Sequence, residues 1–362
     1  MRFKTILAIL CLAVLASCGN KEKSDDSDIL LPEISLGTFE ETTAKLSDII
    51  GDHDMIPLET TDESLIGGRS NKVIKKDGYI FVQSINDVVM FDNTGHFVGK
   101  LSRIGRGPEE YESLLDFDID ASSDEIWVSS LKGIVKYKYP SLEFRGNIPL
   151  SFYANKFKCL SDGSFIAMTP DDKVFNVFSV DGKVTQSFFD KDLANSGQAT
   201  VQFVEAGKQI ASIIADTNTA VCYDPETGLF SMKEILSPGK EPAVTMDINR
   251  EYFDKYGYMD FPSKVMEKYA GLIGFRTNGR QTIVALRYPG IYNSIIVDNG
   301  KSVKEYKVRP KEKSMINDNI TGNEDTSFLL TFTACESDDS FLFLVNTDDE
   351  SNPSILEVRK LK

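Results

Sequence analysis

The densest run of chemically useful side chains lies at residues 102–111, Ser-Arg-Ile-Gly-Arg-Gly-Pro-Glu-Glu-Tyr. Arg103 and Arg106 sit on a glycine-rich turn, where a guanidinium fork can hold an anionic group by charge-assisted hydrogen bonds. Tyr111 closes the run. The competing role is internal, with the arginines pairing to Glu109, Glu110 or nearby aspartates. Just downstream, Asp116, Asp118 and Asp120 alternate with Leu115, Phe117 and Ile119. Period-two spacing puts the three carboxylates on one face of a strand, in steps of about 6.6 Å. Calcium takes six to eight oxygens, and carboxylates so spaced cannot converge on one ion without help from other strands. No metal and no cofactor is therefore expected, and these three are the weak candidates if calcium does bind. A third group, Tyr252, Tyr256 and Tyr258, stands in an aromatic stretch with Phe253, Phe261 and Tyr269. Rings with polar tips suit a sugar or peptide surface, although they can equally form a local core.

Nucleophilic catalysis finds little to work with. His53 and His96 are the two histidines, and neither lies in a G-x-S-x-G or H-E-x-x-H pattern, so no catalytic residue is assigned. Beyond the first twenty residues Cys159, Cys222 and Cys335 are far apart and lack C-x-x-C spacing, which reads as free buried thiols. A net charge of -15 excludes a nucleic-acid partner, because nothing neutralises phosphates.

The elements that must position these groups repeat. From residue 71 onward one phrase recurs: strand, tight turn, strand, polar loop, strand, turn, strand. Asp77-Gly78, Asp162-Gly163, Asp181-Gly182 and Asn278-Gly279 mark its hairpins. Copies fall at residues 71–101, 115–149, 156–189, 201–236, 274–308 and from 328 to the end. Four-stranded repeats of about 40 residues predict an all-β, six-bladed β-propeller. The last copy is one strand short, and an orphan strand at residues 55–60 precedes the first. Pairing that strand with residues 355–361 closes the ring and removes an exposed sheet edge. The propeller is thus expected over residues 54–362, with an insertion at 237–272 that is helical at 251–256 and 263–270.

The N-terminus carries an address. Arg2 and Lys4 precede an apolar run, and Leu15-Ala16-Ser17-Cys18 resembles the lipobox of bacterial lipoproteins. That resemblance implies a signal peptide at 1–17, acylation of Cys18, and the membrane as a partner through the lipid. Residues 18–53 then serve as tether and lead-in. The run Ser24-Asp25-Asp26-Ser27-Asp28 resembles the acidic signal by which Bacteroidetes lipoproteins reach the outer cell surface.

Taken with Ile56-Pro57-Leu58-Glu59-Thr60 and the 102–111 run, the chain resembles the six-bladed β-propeller lipoproteins of Bacteroidetes, which are more loosely NHL-like. Their pattern is roughly G-x-G-P-G-E-Y, and Glu109 stands where the glycine after the proline is usual. The resemblance implies an outer-membrane lipoprotein, on the cell surface or the periplasmic side, and no general reaction. Two functions follow: a module binding a glycan, peptide or envelope protein, or a channel-mouth enzyme such as a metal-assisted lyase or hydrolase. Inward carboxylates from three or more blades would favour the enzyme; an apolar or arginine-lined mouth would favour binding.

Overall fold

The computed structural model describes residues 34–36, 41–43, 46–67, 72–190, 203–214, 217–239, 242–289, 293–308, 334–337, 339–345 and 350–362. Blade 1 comprises Lys72–Lys76, Tyr79–Ser84, Asp87–Asp92 and Phe97–Leu101, joined as an antiparallel meander. Blade 2 comprises Asp116–Asp120, Glu125–Ser130, Gly133–Lys138 and Glu143–Pro149. Blade 3 runs Lys156–Cys159, Phe165–Met168, Lys173–Phe178 and Val184–Asp190. Blade 4 runs Val204–Ala206, Gln209–Ile213, Thr219–Asp224 and Leu229–Glu234. Blade 5 runs Gly271–Thr277, Thr282–Arg287, Asn293–Asp298 and Val303–Val308. Its first strand begins three residues earlier than the turn pattern predicts.

Blade 6 closes the ring as the orphan strand requires. His53–Pro57 pairs antiparallel with Ser354–Val358, placing Ile56 opposite Ile355 and Met55 opposite Leu356. Phe341–Val345 lies on the other side of Ser354–Val358. The innermost strand, Ala334–Ser337, is hydrogen-bonded in parallel to Lys72–Lys76 of blade 1. Closure therefore has an outer clasp and an inner one. Arg359 adds a fork to the outer clasp, reaching Asp52 at 2.9 and 3.1 Å and Asp54 at 2.7 Å.

Each seam between blades has its own core. Side chains alternate across a strand, so a blade with neighbours on both sides buries both faces. Residues 80–84 of blade 1 are accordingly all buried. One cluster, with Phe81, Met90, Phe117 and Tyr137, fills the seam of blades 1 and 2, and another, with Trp127, Phe157 and Phe165, that of blades 2 and 3. Four further clusters fill the remaining seams. Gly95 shows how tightly these parts meet. Its φ is +91°, and a Cβ there would stand 2.1 Å from the Pro57 carbonyl oxygen of the closing strand.

The lead-in does more than trail. Ile34–Ser35 pairs in parallel with Leu236–Ser237, and Glu41–Thr43 pairs in parallel with the outer strand of blade 5. Ile34 and Leu36 are buried in the seam of blades 4 and 5, and Ile49 and Ile50 in that of blades 5 and 6. The segment expected to be tether and lead-in thus ends in a strap along blades 4, 5 and 6.

Candidate functional site

The first strand of each blade lies innermost, and five of the six bring charge to the centre of the ring. Lys72 comes from blade 1, Asp116 and Asp118 from blade 2, and Lys156 and Lys158 from blade 3. Glu205 comes from blade 4 and Glu336 from blade 6. Lys158 Nζ lies 2.6 Å from Glu336 Oε2, 3.2 Å from Glu205 Oε1 and 3.4 Å from Asp118 Oδ1. Lys72 Nζ stands 3.3 Å from Glu336 Oε1 and 3.8 Å from both Asp116 and Asp118. Lys156 reaches Asp116 at 3.6 Å.

The strand edges facing the centre explain why the aspartates are there. Asp116 Oδ2 accepts a hydrogen bond from the Phe157 N–H at 3.1 Å, and Asp118 Oδ2 from the Cys159 N–H at 2.8 Å. Two carboxylates on one innermost strand therefore satisfy backbone donors on the next. Asp120 turns away, accepting from the Ser122 N–H at 3.0 Å and from the Ser122 and Ser123 hydroxyls at 2.6 Å. The three aspartates share a face, as their spacing predicts, but they do not converge on one point. Among the described residues no group of three or more His, Cys, Asp or Glu is placed to hold a metal ion.

Burial and pairing compete in this cluster. Burial works against the charge of Lys158, yet Asp118, Glu336 and Glu205 outweigh it and hold the ammonium above its ordinary range. At Glu336 burial favours the neutral acid, but Lys158 and Lys72 prevail and bring it down to about 2. At Asp118 burial wins over the same two lysines, and its acid is shifted upward. The expected sign of an enzyme, inward carboxylates from three blades, is met, but these carboxylates are engaged by ammonium groups from blades 1 and 3.

The 102–111 run forms the crossing from blade 1 to blade 2 and folds back on itself. Gly105 N–H donates to Tyr111 O at 3.0 Å, Tyr111 N–H to Arg103 O at 3.0 Å, and Gly107 N–H to Glu110 Oε2 at 2.8 Å. Glu110 occupies the space a Gly105 side chain would need, since a Cβ there would meet its carboxylate oxygen at 1.9 Å. Tyr111 is buried, its hydroxyl 2.8 Å from Asn86 O and 3.1 Å from Leu101 O. Burial raises its phenol above the ordinary range. Among the ligand candidates Tyr111 is thus a seam residue that anchors the loop. Arg103 is exposed. Arg106 is 87% exposed, and its Nε stands 3.3 Å from Glu112 Oε1, a partner other than the expected Glu109 and Glu110. Glu112 also pairs with Lys132 at 2.9 Å. Between this loop and blade 2 lies a cleft of about 190 Å³, lined by Arg106, Pro108, Lys132, Ile134 and Pro149 among others.

The aromatic insertion packs against itself. Helix Met246–Met266 is capped by Thr245, whose hydroxyl accepts from the Ile248 N–H, and is interrupted at Gly257. Tyr252, Phe261 and Val265 are buried together with Val244, and Tyr256, Phe253 and Tyr269 pack around them. Tyr252 therefore belongs to a local core and Tyr256 is half-buried. The Tyr258 side chain, like Cys18 and the Cys335 side chain, falls outside the described residues. Cys159 and Cys222 are free thiols, and both histidines serve turns.

Sequence reasoning missed Lys72, Lys156, Lys158, Glu205 and Glu336. Their signal was present: charged residues at inward positions of otherwise apolar first strands, as in Lys-Phe-Lys-Cys at 156–159.

Six blades with separate seam cores around a charge-filled centre define a six-bladed β-propeller. The chain belongs to the DUF4934 family, a domain of unknown function, which it matches over residues 31–360. It is similar in structure to BF0058, an export-candidate protein of Bacteroides fragilis, with a TM-score of 0.67 and 16% identity over 89% of this chain and 98% of that one. A DUF4221 family member from Bacteroides vulgatus has a TM-score of 0.50 and 10% identity, over 88% of this chain and 99% of that one. These likenesses are of fold. No curated protein matches the chain.

Proposed function

We propose that the chain is a binding propeller of the bacterial envelope, lipid-anchored through Cys18, which takes its ligand on the face that carries the inter-blade crossings. The observation that carries this reading is the contrast between centre and face. Paired charges occupy the centre, whereas the crossing at 102–111 presents exposed arginines beside a cleft. The opposite face bears short Asp-Gly and Asn-Gly turns with little surface to offer. Function concentrates in long connections held by a rigid scaffold.

The address supports the envelope. Leu15-Ala16-Ser17-Cys18 follows an apolar run, and residues 19–33 are long enough to span roughly 50 Å when extended. The acidic run at 24–28 favours the cell surface over the periplasmic side of the outer membrane. The export-candidate name of the Bacteroides fragilis propeller points the same way. Fractionation with acyl labelling tests the anchor: Cys18→Ala leaves the membrane fraction and loses its label. Unchanged partitioning would sink it. Thermal-shift screening of the purified chain against glycan and peptide pools, repeated with Arg106→Ala, tests the face.

A further inference from the structure

The loop between the second and third strands of blade 1 holds a residue its backbone disfavours. Ile85 and Asn86 turn Tyr79–Ser84 into Asp87–Asp92, and the φ of Ile85 is +49°. A branched Cβ crowds that left-handed backbone, where glycine or asparagine is the ordinary occupant. Among the described residues four other side chains share this conformation. Asp77 and Asp124 tolerate it, and Leu142 and Phe189 are packed against seam cores that offset it. Ile85 is 61% exposed, so no packing offsets its strain. Strain retained without packing points to function.

Ile85 has company on this face. A Cβ on Gly67 would stand 3.4 Å from its Cδ1, and two residues before Gly67 is Leu65, 46% exposed. Asn86 O accepts from the Tyr111 hydroxyl, which ties the loop to the 102–111 crossing and its exposed Ile104. Glu112, at the end of that crossing, pairs with Lys132 in the corresponding loop of blade 2, beside exposed Leu131. Four aliphatic tips thus project from neighbouring connections. They stand singly, with Arg103, Arg106 and Lys132 balanced by Glu109, Glu110 and Glu112 around them. Separate prongs offer a protein partner no continuous apolar core. A bilayer interface accepts them, because each tip inserts alone while the charged heads stay among the headgroups.

The chain also enters the fold on this face. Ile34 N–H donates to Ile235 O, and Ile235 N–H to Asn218 O, in the loop between the second and third strands of blade 4. With the opposite face toward a membrane, the segment from Cys18 would first have to run the height of a blade, about 20 Å for six residues. Val180 and Leu229, at the outer turns, are as exposed as the four tips, but neither has a left-handed backbone.

We infer that the crossing face of blades 1 and 2 rests on the lipid bilayer, with Leu65, Ile85, Ile104 and Leu131 inserted at its interface. The inference rests on the anchored propeller proposed above and names the partner of that face. With its charges balanced, the contact requires no anionic lipid.

The test uses the acylated chain reconstituted into phosphatidylcholine vesicles whose acyl chains are brominated, with tryptophan quenching as the readout. Trp127 is the single tryptophan and is buried, so it supplies a steady background. Ile85→Trp and Leu131→Trp each lose about half of the added emission, and high salt leaves that loss unchanged. Lys208→Trp, on the hairpin turn of blade 4 at the opposite face, keeps its emission. Ile85→Asn raises the urea midpoint, because asparagine accepts the left-handed backbone, and weakens quenching at Leu131→Trp about twofold. A lowered midpoint would make Ile85 a folding residue and overturn the inference. Equal quenching on both faces would overturn it, as would quenching that salt removes. A chain that carries its acyl label but shows no quenching at the tips sinks the inference and leaves the anchor standing. A chain without label sinks both. Unquenched tips together with an Arg106-dependent ligand from the pools would assign the face to a soluble ligand instead.

Discussion

Replacing Lys158 by methionine tests the central cluster most directly. Methionine keeps most of the aliphatic stem and its packing, so the change isolates the ammonium. In the parent that ammonium sits 2.6 Å from Glu336, 3.2 Å from Glu205 and 3.4 Å from Asp118, with Asp118 and Lys158 almost fully buried. Its removal leaves Asp118 and Glu336 together with only Lys72 to neutralise them, and Lys72 is farther away at 3.3 to 3.8 Å. Removing one partner of a buried pair costs about 3–5 kcal/mol. For a chain of this size about 2 °C accompanies each kcal/mol, so Tm falls by roughly 6–10 °C. Urea titration and a thermal melt at pH 7 read both quantities. The sign of the pH dependence follows from the shifts. Glu336 is held down to about 2 from an ordinary 4.5, so its contribution is complete above pH 4.5 and disappears as pH falls toward 2. Asp118 is shifted upward from 3.8 by burial, so its ionisation opposes folding as pH rises, and more so once Lys158 is gone. Both effects narrow the gap between parent and variant as pH drops from 5 to 2.5. Adding Glu336→Gln to the methionine variant recovers part of the loss, because it removes the surplus charge. A variant within about 1 kcal/mol of the parent at pH 7, or a gap that widens in acid, would refute this account of the centre.

Two further outcomes follow from the closing strand and the crossing. Gly95→Ala places a Cβ 2.1 Å from the Pro57 carbonyl oxygen in a left-handed backbone, and it lowers stability by about 2 kcal/mol or more in a urea titration. Tyr111→Phe removes a buried hydroxyl that satisfies backbone carbonyls and costs about 1–2 kcal/mol in the same titration.

The architecture was legible because turn residues are local. Asp77-Gly78 and its counterparts mark hairpins whatever the rest of the chain does, and their spacing gives six blades. The closing strand was legible by subtraction, since residues 55–60 are strand-forming and otherwise lacked a partner. The centre was not legible, because Lys158 meets Glu336 across 178 residues and only ring closure brings their strands together. Arg106 was identified as a candidate, but its partner depended on how the loop folds back. Glu110 is turned inward onto Gly107, which leaves Glu112 to meet the guanidinium. The strap was missed for another reason. Ile34 and Leu36 alternate only once and Ile49-Ile50 is a bare pair, and a two- or three-residue strand has no period to detect.

That strap determines how the molecule meets force. A chain restrained at its N-terminus receives any pull at Ile34, at the seam of blades 4 and 5, rather than at the closing strand. The load must first strip Ile34–Ser35 from Leu236–Ser237, then Glu41–Thr43 from blade 5, then free Ile49 and Ile50 from the next seam. Only then does it reach His53–Pro57, whose loss would undo the outer clasp of the ring. The attachments give way in series, each releasing slack before the next is stressed. Transient tugging at the N-terminus is absorbed by short strands that can re-dock, and the closure of the propeller is loaded last.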